Sequence, residues 1–317
     1  MHRYIICFYF FSRGKYNFLS KKITTLRPIK NDLTKDKKKY IITHSQNNMG
    51  NTMTAKIIVF ANEKGGTGKS TLAMHMIVSL MRAGKKVASF DLDARQGSLT
   101  RYIENRQTFI TENGVPLPIP EHTSWTDEIA RIYTLKGQIE KIIHQVDAIV
   151  IDTPGAHSTL TAEAMEMADA LVTPINDSLV DLDVLALVDG ETMKIKGPSH
   201  FAQTVWSSRQ QRMLAKKPPL NWVVVRNRML YANSKNSKAV DSLVQALSRR
   251  IHFTISNGFS ERVVYRELFL KGLTMLDCKE NGLNMPMSIS SLAARQEVRC
   301  LMNNILSGGL NPARPTV

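Results

Sequence analysis

The chain is 317 residues long, 43% hydrophobic and formally +15 at pH 7, which suits one large α/β domain or two small ones. No stretch approaches the roughly 18 apolar residues of a membrane-spanning helix. The three cysteines, Cys7, Cys278 and Cys300, have no metal-ligand spacing, so a reduced, cytoplasmic protein is expected. The charge is unevenly placed: residues 1–52 hold eleven Lys/Arg against two acids, nine of the fifteen net charges. The remainder is mildly basic, which permits DNA binding through a local patch without demanding it.

Residues 1–52 read as an extension outside the core, with no sustained helical or strand period and a lysine-rich run from Lys35 to Lys39. A disordered arm, a targeting peptide and a translated region ahead of a start at Met49 or Met53 are the alternatives. The last is favoured because Met53 leads directly into the first apolar run. One domain is expected over residues 53–307, followed by a flexible tail over 308–317.

Lys56 to Asn62 (KIIVFAN) is a short apolar run ending in a glycine-rich turn, the pattern of a buried parallel strand. The spacing of Leu72, Met76, Val78, Leu80 and Met81 predicts a helix over 69–82, stopped by Gly84. Between them lies Lys64-Gly-Gly-Thr-Gly-Lys-Ser-Thr71. Strand, glycine loop and helix together make a phosphate-binding P-loop, in which backbone amides and a helix N-terminus cradle a triphosphate. Gly65, Gly66, Thr67 and Gly68 form the cradle. Lys69 is expected at the β- and γ-phosphates of ATP, Ser70 on Mg²⁺, and Thr71 at the α-phosphate. Glu63 stands where the common Walker A pattern has glycine, and Lys64 adds a second lysine, the mark of a deviant Walker A.

A second strand, Lys86 to Leu92, runs into Asp93 and puts Asp91 and Asp93 on one face beside the phosphates. A third, Val146 to Asp152, ends in a carboxylate followed by Thr153-Pro-Gly155, a Walker B strand whose Asp152 is expected to hold Mg²⁺ through a water. Further strands are predicted over 170–174 and 221–226. Strand and helix alternate throughout, so the expected fold is α/β: a three-layer P-loop NTPase with a mostly parallel twisted sheet flanked by helices.

From about Met53 to Ser307 the sequence resembles the MipZ family, the division-site-positioning ATPases of the ParA/MinD superfamily. The resemblance rests on Asn62-Glu-Lys64, Asp91-Leu-Asp93 with Arg95-Gln96, Glu104-Asn-Arg106, Thr173-Pro174 and Asn176-Asp-Ser178. It continues in Thr204-Val-Trp206, Trp222-Val-Val224 running into Arg226-Asn-Arg228, Tyr265 to Phe269, and Leu292 to Glu297. It implies an ATP-bound homodimer in which Lys64 crosses to the partner's γ-phosphate. It assigns Asp93 to orienting the attacking water, Asp91 to the magnesium shell or a lysine contact, and Asn227 to the adenine. It also implies partnership with ParB, non-specific DNA binding on the nucleoid and inhibition of FtsZ assembly. One departure stands out: Ala156-His157-Ser158 follows the Walker B turn where the family pattern has Gly-Asp-Ser, and His157 reads as a tolerated loop substitution.

Basic pairs recur through the second half: Arg209 and Arg212, Lys216 and Lys217, Arg226 and Arg228, Lys235 and Lys238, Arg249 and Arg250, Arg262 and Arg266. Lys235, Lys238, Arg249 and Arg250 flank one predicted helix and are the preferred DNA contacts. A MinD-type membrane ATPase is disfavoured because Ser307 to Val317 cannot form an amphipathic helix. An iron–sulfur reductase lacks the cysteines. A generic ParA-type partitioning ATPase and a dethiobiotin-synthetase-like ligase remain as alternatives.

Overall fold

The computed structural model describes residues 54–189, 192, 194–229, 235–277 and 289–306; the expectations for residues 1–52 and 308–317 and for Cys7 and Cys278 lie outside them. The elements that carry the fold begin with β1 (Lys56–Phe60), α1 (Lys69–Arg82), β2 (Val87–Asp91), α2 (Ser98–Asn113) and β3 (Glu121–Ser124). Two short helices, α3 (Asp127–Ile132) and α4 (Leu135–Ile142), lead to β4 (Ala148–Asp152), α5 (Thr159–Met167) and β5 (Ala170–Asn176). A 3₁₀ turn (Leu179–Val184) precedes β6 (Ala186–Val188), β7 (Ile195–Pro198), α6 (His200–Leu214) and β8 (Asn221–Asn227). The chain continues through α7 (Lys235–Ile251), β9 (Thr254–Ser256), α8 (Val264–Leu270) and α9 (Ile289–Leu306).

Seven strands form one sheet in the order β3-β2-β4-β1-β5-β8-β9, and every pairing in it is parallel. Strand side chains alternate between the two faces. Ile57 and Val59 therefore enter one core with Ile149, Ile151, Trp222 and residues of α4 to α7. Ile58 and Phe60 enter the other, with Val150, Val223 and residues of α1, α2 and α9. Both faces are covered, so the strands read as unbroken apolar runs, and the three-layer α/β fold is the one expected.

The predicted strands match β1, β2, β4, β5 and β8 to within one or two residues, and α1 matches its predicted span. The edge strands are different. β3 is Glu-His-Thr-Ser, with no apolar residue to mark it, and β9 is three residues long. Both are held by pairing to an interior neighbour rather than by their own pattern.

A buried polar cluster ties the first two helices to the segment before residue 278. The Arg106 guanidinium, fully buried on α2, donates two parallel bonds of 2.9 Å to Asp277 and a third of 3.0 Å to the Gly272 carbonyl. Arg82 at the end of α1 and the backbone and hydroxyl of Thr274 complete the shell of Asp277. A Cβ at Gly272 would fall 1.9 Å from the backbone nitrogen of Arg106, so only glycine allows this close approach to α2. Beside it, His75 accepts from the Met275 amide at 3.2 Å and bonds the Thr71 carbonyl at 2.8 Å. Burial pushes this imidazole down to about 4, which keeps it neutral.

Burial alone would raise the Asp277 carboxyl, but Arg106, Arg82 and the Thr274 amide outweigh it and hold the group at about 2. A carboxylate depressed on folding adds stability that is complete above its unfolded value and is lost as pH falls through the folded one. Asp277→Ala strands buried guanidinium charge and is expected to cost about 3–5 kcal/mol in urea unfolding at neutral pH. It should also flatten the acid limb of the stability curve between about pH 4 and pH 2. A variant that unfolds as the wild type does at both ends of that range contradicts this assignment.

Candidate functional site

Parallel pairing aligns the carboxyl ends of three neighbouring strands: Asp152 lies opposite Phe60 on one side and Asp91 on the other. The loop that follows β1 thus emerges beside both carboxylates, at the carboxyl edge of the sheet where open α/β folds bind ligands. Asn62 fixes the start of that loop. Its Nδ2 donates to the Pro174 carbonyl at 2.6 Å, and its Oδ1 accepts from the Lys64 amide at 2.7 Å. Gly65 and Gly66 are exposed, and Gly66 and Gly68 take left-handed φ of 71° and 91°. Gly68 is also the N-cap of α1 and supplies no side-chain cap. The first amides of α1 are left for an external anion.

Two loop lysines turn in different directions. Lys69 folds into the loop, where its Nζ donates to the Lys64 carbonyl at 3.0 Å; burial lowers its pKa while Asp152 and Asp93 oppose that shift. Lys64 turns outward to the 3₁₀ turn, forming an ion pair with Asp181 at 3.3 Å and donating to the Val180 carbonyl. Asp181 lies just past the Asn176-Asp-Ser178 motif, and nothing in that stretch marks it as a partner of Lys64.

Asp152 is 2% exposed. Burial pushes its carboxyl up to about 7, against a hydrogen bond from Ser70 and the charge of Lys69. Its Oδ1 is buried with no hydrogen-bond partner. An orphaned anionic oxygen beside a serine hydroxyl is the donor set a hard divalent cation requires, so these residues fit Mg²⁺.

Asp91 and Asp93 do different things. Asp91 is fully buried; its Oδ1 accepts from the Asp93 amide at 3.0 Å, and its Oδ2 accepts from the Thr100 amide and hydroxyl at 2.9 and 3.0 Å. The N-cap of α2 is Gly97, without a side-chain cap. Asp91 therefore supplies from β2 the acceptor that a capping side chain would give. The Thr100 hydroxyl continues to His122 at 3.0 Å and thence to Ser89 at 2.9 Å. None of the described hydrogen bonds of Asp91 goes to a lysine. Asp93 is half-buried, with Oδ1 receiving the Gln96 amide at 3.2 Å.

At the other end of the loop, Asn227 terminates β8 and donates from Nδ2 to the Thr67 carbonyl at 2.7 Å. A Cβ at Gly68 would meet that nitrogen at 2.2 Å. Gly68, Thr71 and Asn227 line a cavity of about 310 Å³ together with Arg228, Phe259 and Arg262. Its volume lies at the small end of those that enclose small ligands. The loop carrying Phe259 and Arg262 gave no site signal in the sequence; pairing of β9 to β8 brings it there.

The basic residues separate into two groups. Arg212 is buried against Asp169, Arg226 bridges Asp177 and Asp241, Arg262 pairs with Glu297, and Arg209 lies over the Trp222 ring while donating to the Ile251 and His252 carbonyls. These four serve the fold, so the basic pairs of the second half do not all contribute to a surface that could meet DNA. Lys216, Lys217, Arg228, Arg249 and Arg250 are exposed. Lys235 and Lys238 lie on α7 with Arg249 and Arg250, but their side chains lie outside the described residues.

A family profile described as ATPase MipZ matches residues 56–308. Among curated relatives, the chromosome-partitioning ATPase Soj of Thermus thermophilus is 30% identical over 41% of this chain and 58% of its own length. The sporulation initiation inhibitor protein Soj of Bacillus subtilis is 26% identical over 41% of this chain and 62% of its own. The chain thus spans about three fifths of those relatives. Among solved structures, apo McdA of Cyanothece aligns with a TM-score of 0.53 at 17% identity, covering 77% of this chain and 99% of that one. Cobyrinic acid a,c-diamide synthase of Mycobacterium smegmatis aligns at 0.52 and 18% identity, covering 83% and 100%. Identities this low speak only for the shared fold. The profile spans the catalytic loop, both carboxylate strands and the last helix, and the chain belongs to the MipZ ATPase family.

Proposed function

We propose that the protein is a slow, ATP-dependent dimerising switch that positions the cell-division site by inhibiting FtsZ assembly, coupled to ParB and to non-specific chromosomal DNA. The observation that carries this reading is the divergence of the two loop lysines. Lys69 is turned into its own phosphate cradle, whereas Lys64 is turned away from it toward Asp181. A cation on the rim of the site is suited to reach a phosphate held by a second copy, where it would stabilise transition-state charge and make assembly depend on ATP.

The residues divide the work accordingly. Amides of Gly65 to Gly68 and the start of α1 hold the phosphates, Thr71 meets the α-phosphate, and Asn227 presents its carboxamide to the purine edge in the adjoining cavity. Ser70 and Asp152 hold Mg²⁺, which draws charge from the phosphate oxygens when bound. Asp91 acts by holding the Asp93 backbone and α2, and Asp93 orients the attacking water. The neighbouring cobyrinic acid synthase structure carries an ATP analogue and magnesium, which supports the cofactor assignment. Arg249 and Arg250, exposed on α7, are with Lys235 and Lys238 of the same helix the preferred DNA contacts. A ParA-type partitioning role is the second reading, favoured by the two Soj relatives.

The separating experiment mixes FtsZ polymers with the protein and ATP: division-site control requires the polymers to shorten or disassemble, and unchanged polymers favour partitioning. Asp152→Asn should keep nucleotide binding yet lose the magnesium dependence of hydrolysis, and it should stabilise the nucleotide-free protein by removing a buried carboxylate. Retained magnesium dependence would remove Asp152 from the metal site. Asp93→Ala should leave a persistent ATP-bound dimer, and Asp181→Asn, which removes the ion pair holding Lys64, should raise the dimer fraction at limiting ATP. Sedimentation velocity reads both; a monomeric Asp93→Ala protein overturns the division of labour.

A further inference from the structure

Beside the nucleotide loop, but using none of its phosphate ligands, three groups converge from distant parts of the chain. Glu63 precedes Lys64 on the loop after β1, His157 lies on the turn after β4, and His200 opens α6. Their ligand atoms all lie within 4.8 Å of one another. The His200 Nδ1 stands 3.5 Å from the Glu63 Oε1, and the two imidazole rings meet edge to face with centroids 4.4 Å apart. We propose that Glu63, His157 and His200 bind a divalent transition-metal ion of the zinc class.

The chemistry of the set selects the ion. Two imidazoles and one carboxylate suit zinc, cobalt, nickel or copper, whereas magnesium prefers an all-oxygen shell. Zinc bonds of about 2.0–2.1 Å in a tetrahedron put ligand atoms roughly 3.4 Å apart, so closure needs side-chain shifts on the order of 1 Å. The His200 side chain is 64% and the Glu63 side chain 27% exposed; that leaves room for these shifts and for water at a fourth position. The backbones beneath are firmly set. Ser158, next to His157, caps α5 by accepting the Thr161 amide at 3.0 Å. Ser199, next to His200, accepts the Ala202 amide at 3.0 Å and donates to the Val184 carbonyl at 2.6 Å. Asn62 fixes the loop at Glu63 from the other side. Ligands on fixed backbones lose little entropy when the ion arrives.

The location gives the ion a consequence. A Cβ at Gly155 would fall 3.0 Å from Gly65, so the turn carrying His157 already rests against the phosphate loop. A metal bridging Glu63 and His157 cross-links these two segments and fastens both to α6, restraining the loop residue immediately before Lys64. His157, which reads in the sequence as a tolerated substitution, becomes a ligand in this arrangement.

The test uses the full-length protein stripped with a chelator, without nucleotide or magnesium, titrated with Co²⁺ and followed by visible absorption, with Zn²⁺ competition giving the affinity. The expected result is a single cobalt ion with the intense bands of a four-coordinate site, displaced by zinc. His157→Ala and His200→Ala should each weaken binding by about 100-fold, the upper end of what loss of an outer-shell partner alone costs. Both variants should bind magnesium-ADP as the wild type does, which separates ligand loss from misfolding and keeps the result independent of the ATPase reading. No cobalt spectrum in the wild type, or wild-type cobalt affinity in either variant, overturns the site.

Discussion

The parallel register of β2, β4 and β1 is the constraint on which the site depends. It sets Asp91, Asp152 and Phe60 in one row at the carboxyl edge of the sheet. Each strand is buried on both faces, and a slip of one residue would drive the apolar side chains of one core into the other. Hydrophobic packing over the whole sheet thus fixes the spacing between a phosphate loop and two carboxylates, although none of those groups contributes apolar contact. The cost is local. Asp152 sits with an unmatched oxygen and a raised pKa, a cost borne at the site by a fold packed on both sheet faces.

The features legible in the sequence share one property: each is written over a short, contiguous stretch. The apolar runs of β1, β4 and β8, the spacing along α1 and the glycines of the loop all declare themselves locally. What the sequence left unread depends on distance. Arg106 and Asp277 are 171 residues apart, and nothing in either neighbourhood marks them as a pair. Asp181 becomes a partner of Lys64 only when the 3₁₀ turn folds back beside the loop. Glu63, His157 and His200 lie on three separate segments, and although Glu63 and His157 each depart from a motif, nothing in the sequence joins them to His200. β3 escaped for a different reason, being wholly polar and held by its neighbour.

Charge was the least reliable guide. The basic pairs of the second half look alike in sequence, yet the structure sends Arg209, Arg212, Arg226 and Arg262 into the fold and leaves Lys216, Lys217, Arg249 and Arg250 at the surface. Asp91 shows the same ambiguity among the acids. The resemblance assigns it to the magnesium shell or a lysine contact, and the hydrogen bonds it makes anchor the start of α2. In both cases burial and hydrogen bonding, rather than residue type, decide what a charged group does.

The central claim is that Lys64 serves the partner's nucleotide rather than its own. Mixing two inactive proteins tests it directly. Lys64→Ala keeps an intact phosphate loop but cannot donate the lysine, and Lys69→Ala cannot hold ATP but still carries Lys64. If Lys64 acts across the dimer, steady-state phosphate release should reappear on mixing, because each mixed dimer contains one complete composite site. If release from the mixture stays at the sum of the separate proteins, Lys64 acts within its own chain and the shared-site account is contradicted.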